Sequence, residues 1–209
     1  MELILARHGE TAWNVEQVFR GTIDVELNET GVQQARLLAE YLKDRPVTAV
    51  YSSPLQRAVK TAEEIANQFQ QEVKILRGLI DIDFGAWNGL PVREVEEKYP
   101  DLYKEWTETP EKVEFPYGES LEAVAYRAKE LIDSIVYMNS GTVVAVSHRV
   151  VLKVIICALL GLDNSHFWDI RLDTCGITVF SYENGKYTLI EHNNTSFLKP
   201  LGAEKLADF

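Results

Sequence analysis

The 209-residue chain contains only two cysteines and two methionines, and no apolar run approaches the ~18 residues that a membrane span requires. Cys157 and Cys175 stand too far apart in sequence for a zinc motif, and both thiols read as buried core. Positive charge is in the minority: 21 Lys and Arg face 32 Asp and Glu, for a net charge of −11. That balance argues against nucleic acid or an anionic membrane as a partner, but a local basic pocket can persist on an acidic surface. Nothing at the start reads as a signal peptide, so a cytoplasmic protein, monomer or homodimer, is the expectation. Repeats, low-complexity tracts and linkers are lacking as well. Residues 1–209 are therefore expected to form one domain.

What the chain does have is alternation. "LILA" (3–6), "AVYS" (49–52) and "TVVAVS" (142–147) are short apolar runs of the kind that form strands buried on both faces. Between them, Val32, Ala35, Leu38, Ala39 and Leu42 recur at helical spacing, and Ala58, Ala62, Ile65 and Phe69 do the same. Leu121, Val124, Ala128, Leu131, Ile132 and Ile135 mark another helix, with Ser120 placed to cap it. Residues 150–160 are apolar almost all round, which predicts a core helix, and Asn184-Gly185 predicts the turn of a closing hairpin. The pattern implies an α/β fold: a mostly parallel central sheet with helices on both faces. The stretch 87–117 differs, with Trp87, Tyr99, Tyr103, Trp106, Phe115 and Tyr117 set among charges and four prolines. It reads equally as a helical excursion with its own small core or as a cover over a substrate.

The chemistry concentrates at strand ends. Arg7 and His8 directly follow the first buried strand, His148 follows "TVVAVS", and Arg57 comes early in the helix after the second strand. Ligands of open parallel sheets bind beyond the carboxyl ends of the strands, so these residues converge on one crevice. A lone histidine at a strand end is more often structural. Two arginines and two histidines together would repel one another without an anion, and a guanidinium fork suits phosphoryl oxygens. His166 and His192 have no such context.

Four motifs, "LILARHGETAWN", "YSSPLQRAVKTA", "DIDFGAWNGL" and "VVAVSHRVVLK", together resemble the histidine phosphatase superfamily, the phosphoglycerate-mutase-like group, over most of the chain. "FRGTIDVELNETG" and "PYGESL" match between them. The resemblance implies that His8 is a nucleophile that becomes a phosphohistidine, and that Arg7, Arg57 and His148 hold the phosphoryl oxygens. It implies no metal and no cofactor. Asn14 and the loop at Gly21 and Thr22 match secondary phosphate or substrate contacts. Gly9 is expected to let the backbone turn closely around the imidazole.

Two positions depart from the family pattern. The acid that protonates the leaving oxygen is usually glutamate, and the matching register puts Asp81 there, with Asp83 as its rival and Glu10 or Glu119 behind them. Arg149 stands where glycine is common after the pocket histidine. It reads either as a substrate contact or as a solvent-facing group at the helix start. Phe84 and Trp13 suggest a leaving group with a flat or apolar part.

The expected activity is metal-independent hydrolysis of a small phosphorylated metabolite, such as α-ribazole-5′-phosphate or phosphoserine. The competing readings are a cofactor-dependent phosphoglycerate mutase and a catalytically weak regulatory module that binds a phospho-ligand. The mutase reading is disfavoured because 87–117 offers only Arg93 as an extra arginine.

Overall fold

A six-stranded sheet organises the computed structural model, which describes residues 1–202. The strands are β1 (Glu2–Arg7), β2 (Val47–Ser52), β3 (Val73–Ile75), β4 (Thr142–Ser147), β5 (Ile177–Glu183) and β6 (Lys186–Asn194), in spatial order β3-β2-β4-β1-β5-β6. The first four are parallel, and β5 and β6 add antiparallel to that core. The short β3 was not expected. Val73 is half-buried while Lys74 and Ile75 are exposed, so the segment carries too little apolar pattern to stand out.

Alternation along the central strands explains the two-sided core. Leu3, Leu5, Val143 and Ala145 face one side, where α6 (Leu121–Met138) and α7 (Arg149–Leu160) pack. Ile4, Ala6, Val144 and Val146 face the other, against α2 (Glu29–Leu42) and α3 (Gln56–Gln68). The remaining helices are the single turn α1 (Ala12–Val15), α4 (Val92–Lys98) and α5 (Pro100–Glu108). Ser120 caps α6 by accepting the Ala123 N–H, and Asn28 caps α2 in the same way through Gly31. Asn184 and Gly185 both have positive φ, 51° and 78°, which is the turn geometry that matches the twist of a hairpin.

The excursion after residue 87 has no small core of its own. Trp87, Val95, Trp106, Val113 and Phe115 belong to the same buried cluster as Leu3 and Val143. Its aromatics meet edge to face: Phe84 against Phe19, Trp106 and Phe115, and Trp106 against Trp168. Tyr117 alone stands out, 96% exposed. Cys157 and Cys175 are buried and free, and burial raises both thiols, Cys157 to about 11.

Candidate active site

The site lies beyond the carboxyl ends of the two middle strands. Arg7 and Ser147 are the last paired residues of β1 and β4, and the His8 N–H still bonds to the Ser147 carbonyl at 3.0 Å. The backbone is therefore held in sheet geometry right up to the imidazole. Gly9 and Gly31 then bring two backbones together: a Cβ on Gly9 would stand 2.5 Å from the Gly31 carbonyl oxygen. This close approach to the first turn of α2, rather than a turn around the ring, is what glycine provides here.

His8 is 1% exposed, and its Nδ1 lies 2.7 Å from the Gly9 carbonyl. A carbonyl can only accept, so Nδ1 carries the proton and Nε2 keeps its lone pair. Nε2 makes no hydrogen bond among the described residues. Burial, followed by the positive charges of Arg57, Arg7 and Arg20, pushes the imidazole well below its usual value near 6.5. Both effects favour a neutral ring with the lone pair of Nε2 available.

His148 tilts toward His8, with ring centroids 5.2 Å apart. Its Nδ1 accepts from Arg57 Nε at 3.2 Å, which places the proton on Nε2, 2.7 Å from Ser53 Oγ. Burial and Arg57 also hold this imidazole well below the ordinary histidine value. Arg57 is fully buried, and its other nitrogens donate to the Ile23 and Gly21 carbonyls at 2.8 Å and to Asp81 Oδ2 at 3.2 Å. The loop carrying Gly21 and Thr22 is thus fastened to the site by the guanidinium itself. Arg7 Nη1 donates to the Leu172 carbonyl.

The two aspartates separate cleanly. Asp81 is 5% exposed and faces Arg57 and His148, with Oδ2 3.6 Å from His148 Nδ1. Asp83 turns the other way, where Oδ1 accepts from the Gly85 N–H and from Asn88 Nδ2 and holds the loop together. Residues 80–83 form no strand, so the alternation that would have put both carboxylates on one side does not apply. Glu10 accepts from the Asn28 side chain, and Glu119 forms an ion pair with Arg127.

Arg149 is 5% exposed, with its guanidinium 5.7 Å from the Trp168 ring centroid, so the solvent-facing reading of this residue is overturned. Its backbone begins α7, and that helix start is packed inside the molecule. Phe84 lines the same pocket as Asp81 and Arg149. Asn14 is buried, and its Oδ1 accepts from the Thr11 N–H in a reciprocal cap. Trp13 and Thr22 are half-buried at the edge. His166 pairs with Asp169, and His192 lies near Thr178, both outside the cluster. Arg20 was missed by sequence reasoning. It is 6% exposed, lines the pocket with Asp81 and Arg149, and is held by Nη1 donating to the Trp13 and Val18 carbonyls. It lies inside a matched motif, but only the fold shows that it points inward.

The model of the histidine phosphatase superfamily, branch 1, matches residues 3–195. The chain belongs to that superfamily. Phosphoserine phosphatase 1 of Hydrogenobacter thermophilus is 41% identical over 199 residues, covering 95% of this chain and 94% of that protein. Among solved structures, Bacillus stearothermophilus YhfR superposes with a TM-score of 0.90 at 30% identity, covering 94% of this chain and 98% of that one. The α-ribazole phosphatase of Shigella flexneri superposes with a TM-score of 0.85 at 28% identity, covering 93% and 96%. This histidine phosphatase is an enzyme of the phosphoric monoester hydrolase class.

Proposed function

We propose that residues 1–209 act as one domain that hydrolyses a small phosphorylated metabolite in two steps through a phosphohistidine on His8. The observation that carries this reading is the His8 ring, with Nδ1 tied to the Gly9 carbonyl and Nε2 left to attack among three arginines. In the first step the Nε2 lone pair bonds to phosphorus, and the ester P–O bond breaks. The leaving oxygen takes its proton from Asp81. In the second step water, deprotonated by the Asp81 carboxylate, attacks phosphorus, and the P–N bond breaks to return His8 and release phosphate. Arg7, Arg57 and His148 hold the phosphoryl oxygens as charge builds on them, while Asn14, Gly21 and Thr22 shape the adjoining edge.

Hydrolysis rather than mutase chemistry is supported by Arg93, the one arginine of the 87–117 cover. It is exposed and paired to Glu97 at 3.0 Å, so it is committed to the surface of α4. Metal-free chemistry is supported by the crowding of positive charge around His8, which would repel a divalent cation. The relatives named above make phosphoserine and α-ribazole-5′-phosphate the two leading candidate substrates.

The test is hydrolysis of nitrophenyl phosphate with a chelator present, followed by acid and base treatment of rapidly quenched enzyme. Activity should survive the chelator, and an acid-labile, base-stable phosphoryl group should appear on His8 and vanish in His8→Ala. Activity lost to chelator and restored by magnesium would overturn the reading.

A further inference from the structure

Asp81 sits on a segment with no strand ladder to hold it. Residues 80–83 form no regular element, so their backbone polar groups need other partners. Arg127 and Glu119 supply them. Arg127 Nη1 donates to the Gly78 carbonyl at 2.8 Å, and Nη2 donates to the Asp81 carbonyl at 3.2 Å. Glu119 takes both backbone groups of Asp83. Its Oε2 accepts from the Asp83 N–H at 3.0 Å, and its own N–H donates to the Asp83 carbonyl at 2.8 Å.

The two side chains are also locked to each other. Arg127 Nε donates to Glu119 Oε1 at 2.8 Å and Nη2 to Oε2 at 3.0 Å, a parallel fork that a lysine cannot make. Both are less than a third exposed. Both Glu119 oxygens are thereby committed to Arg127 and Asp83, which removes this carboxylate as a rival proton donor. Glu119 directly precedes the Ser120 cap, and Arg127 lies two turns into α6. The acid segment therefore hangs on a helix, while Arg57 holds the Asp81 carboxylate from the pocket side.

We propose that Glu119 and Arg127 are positioning residues that aim the Asp81 carboxyl at the leaving oxygen. The proposal rests on the phosphatase reading with Asp81 as the acid. Proton transfer demands this precision, since a misplacement of about 1 Å can cost about 100-fold in rate. The clamp serves proton donation, so its effect grows with the basicity of the leaving oxygen.

The experiment uses the full chain and two kinds of ester. One is nitrophenyl phosphate; the other is the better substrate of phosphoserine and α-ribazole-5′-phosphate, both alkyl esters. Arg127→Gln should lower kcat on the alkyl ester by about 10–100-fold and kcat on nitrophenyl phosphate much less. KM and competitive inhibition by inorganic phosphate should change little. Arg127→Lys and Glu119→Gln should fall between this variant and wild type, because each keeps part of the clamp. Arg93→Gln, which breaks only the surface pair with Glu97, should change nothing.

A merely structural loss slows both esters alike. Equal falls on the two esters in Arg127→Gln and Glu119→Gln would overturn the clamp, and so would unchanged kinetics. If Arg127→Gln does not fold, the nearly isosteric Glu119→Gln decides by the same ratio. Asp81→Asn serves as the reference: without a leaving-group dependence there, the acid is misassigned and the clamp falls with it. Failure of the wild-type protein to hydrolyse any of the three esters would instead overturn the phosphatase reading itself.

Discussion

Arg57 donates from Nη2 to Asp81 Oδ2 across 3.2 Å, where neither side chain is more than 7% exposed. The same guanidinium holds His148 and the carbonyls of Gly21 and Ile23. One side chain therefore ties together His148, Asp81 and the loop that carries Gly21 and Ile23. Replacing Arg57 with Ala should weaken vanadate binding by about 10–100-fold, since a charge-assisted hydrogen bond contributes about 1.5–3 kcal/mol. It should also destabilise the protein, because a buried carboxylate loses its partner. Arg45, paired at the surface with Glu2, and the exposed Arg77 serve as controls. Vanadate titration of the three alanine variants checks this, and equal weakening in all three would mean the anion site lies elsewhere.

The acid can be assigned by its dependence on the leaving group. An aliphatic alkoxide cannot depart unprotonated near neutral pH, whereas a nitrophenolate can. Asp81→Asn should slow hydrolysis of an alkyl phosphate by about 10²–10⁴-fold and slow nitrophenyl phosphate much less. Asp83→Asn should lose stability through its broken contacts to Gly85 and Asn88, with no dependence on leaving group. Steady-state rates on the two substrates, taken as a ratio within each variant, decide between them. Discrimination seen only in Asp83→Asn would exchange the two roles.

Both pocket histidines are held well below their ordinary value, first by burial and then by Arg57. In the unfolded chain each takes up a proton near pH 6.5, while in the folded protein it does so only at lower pH. The unfolded state thus binds more protons as pH falls below about 6.5, and stability must fall with it. The stabilising contribution is complete above that pH and is lost toward the depressed folded value. Each histidine adds a slope of up to about 1.4 kcal/mol per pH unit. Denaturant unfolding between pH 5 and 7.5 should show a shallower acid slope in His8→Asn than in wild type. Identical slopes would show that His8 is protonated in the fold.

The contact between Gly9 and Gly31 is backbone on backbone. A Cβ on Gly31 would stand 2.1 Å from the Glu10 carbonyl oxygen, so no side-chain rotation relieves it. Gly31→Ala should cost about 1–3 kcal/mol or more, as overpacking in a dense interior does. Activity should fall as well, because α2 can only make room by shifting the segment that carries His8. Thermal unfolding and nitrophenyl phosphate assays together check this. Full stability with full activity would mean the approach is looser than the structure has it.

The order of strands and helices was legible because burial writes itself into spacing. The unbroken apolar runs at Leu3–Ala6 and Val143–Val146 and the period-3.6 pattern at Leu121–Ile135 are consequences of which faces are covered, and any chain that folds this way must carry them. Arg7, His8, Arg57 and His148 were legible for a related reason: their positions at strand ends, or in the first turn of the helix that follows, tie them to one sheet edge. Asp81 and Asp83 were not separable in sequence, since that depended on a strand alternation that residues 80–83 do not adopt. Arg20 was invisible as a pocket residue, and the inward direction of Arg149 could not be read from its position alone. Arg149 is set by Trp168, 19 positions further along the chain, and Arg20, held locally by the carbonyls of Trp13 and Val18, meets the distant Asp81 and Arg149 only once the chain folds. Local pattern determined which segments are buried and which residues sit at strand ends. Tertiary packing alone decided which polar side chains turn into the pocket, because that choice is made by partners distant in sequence.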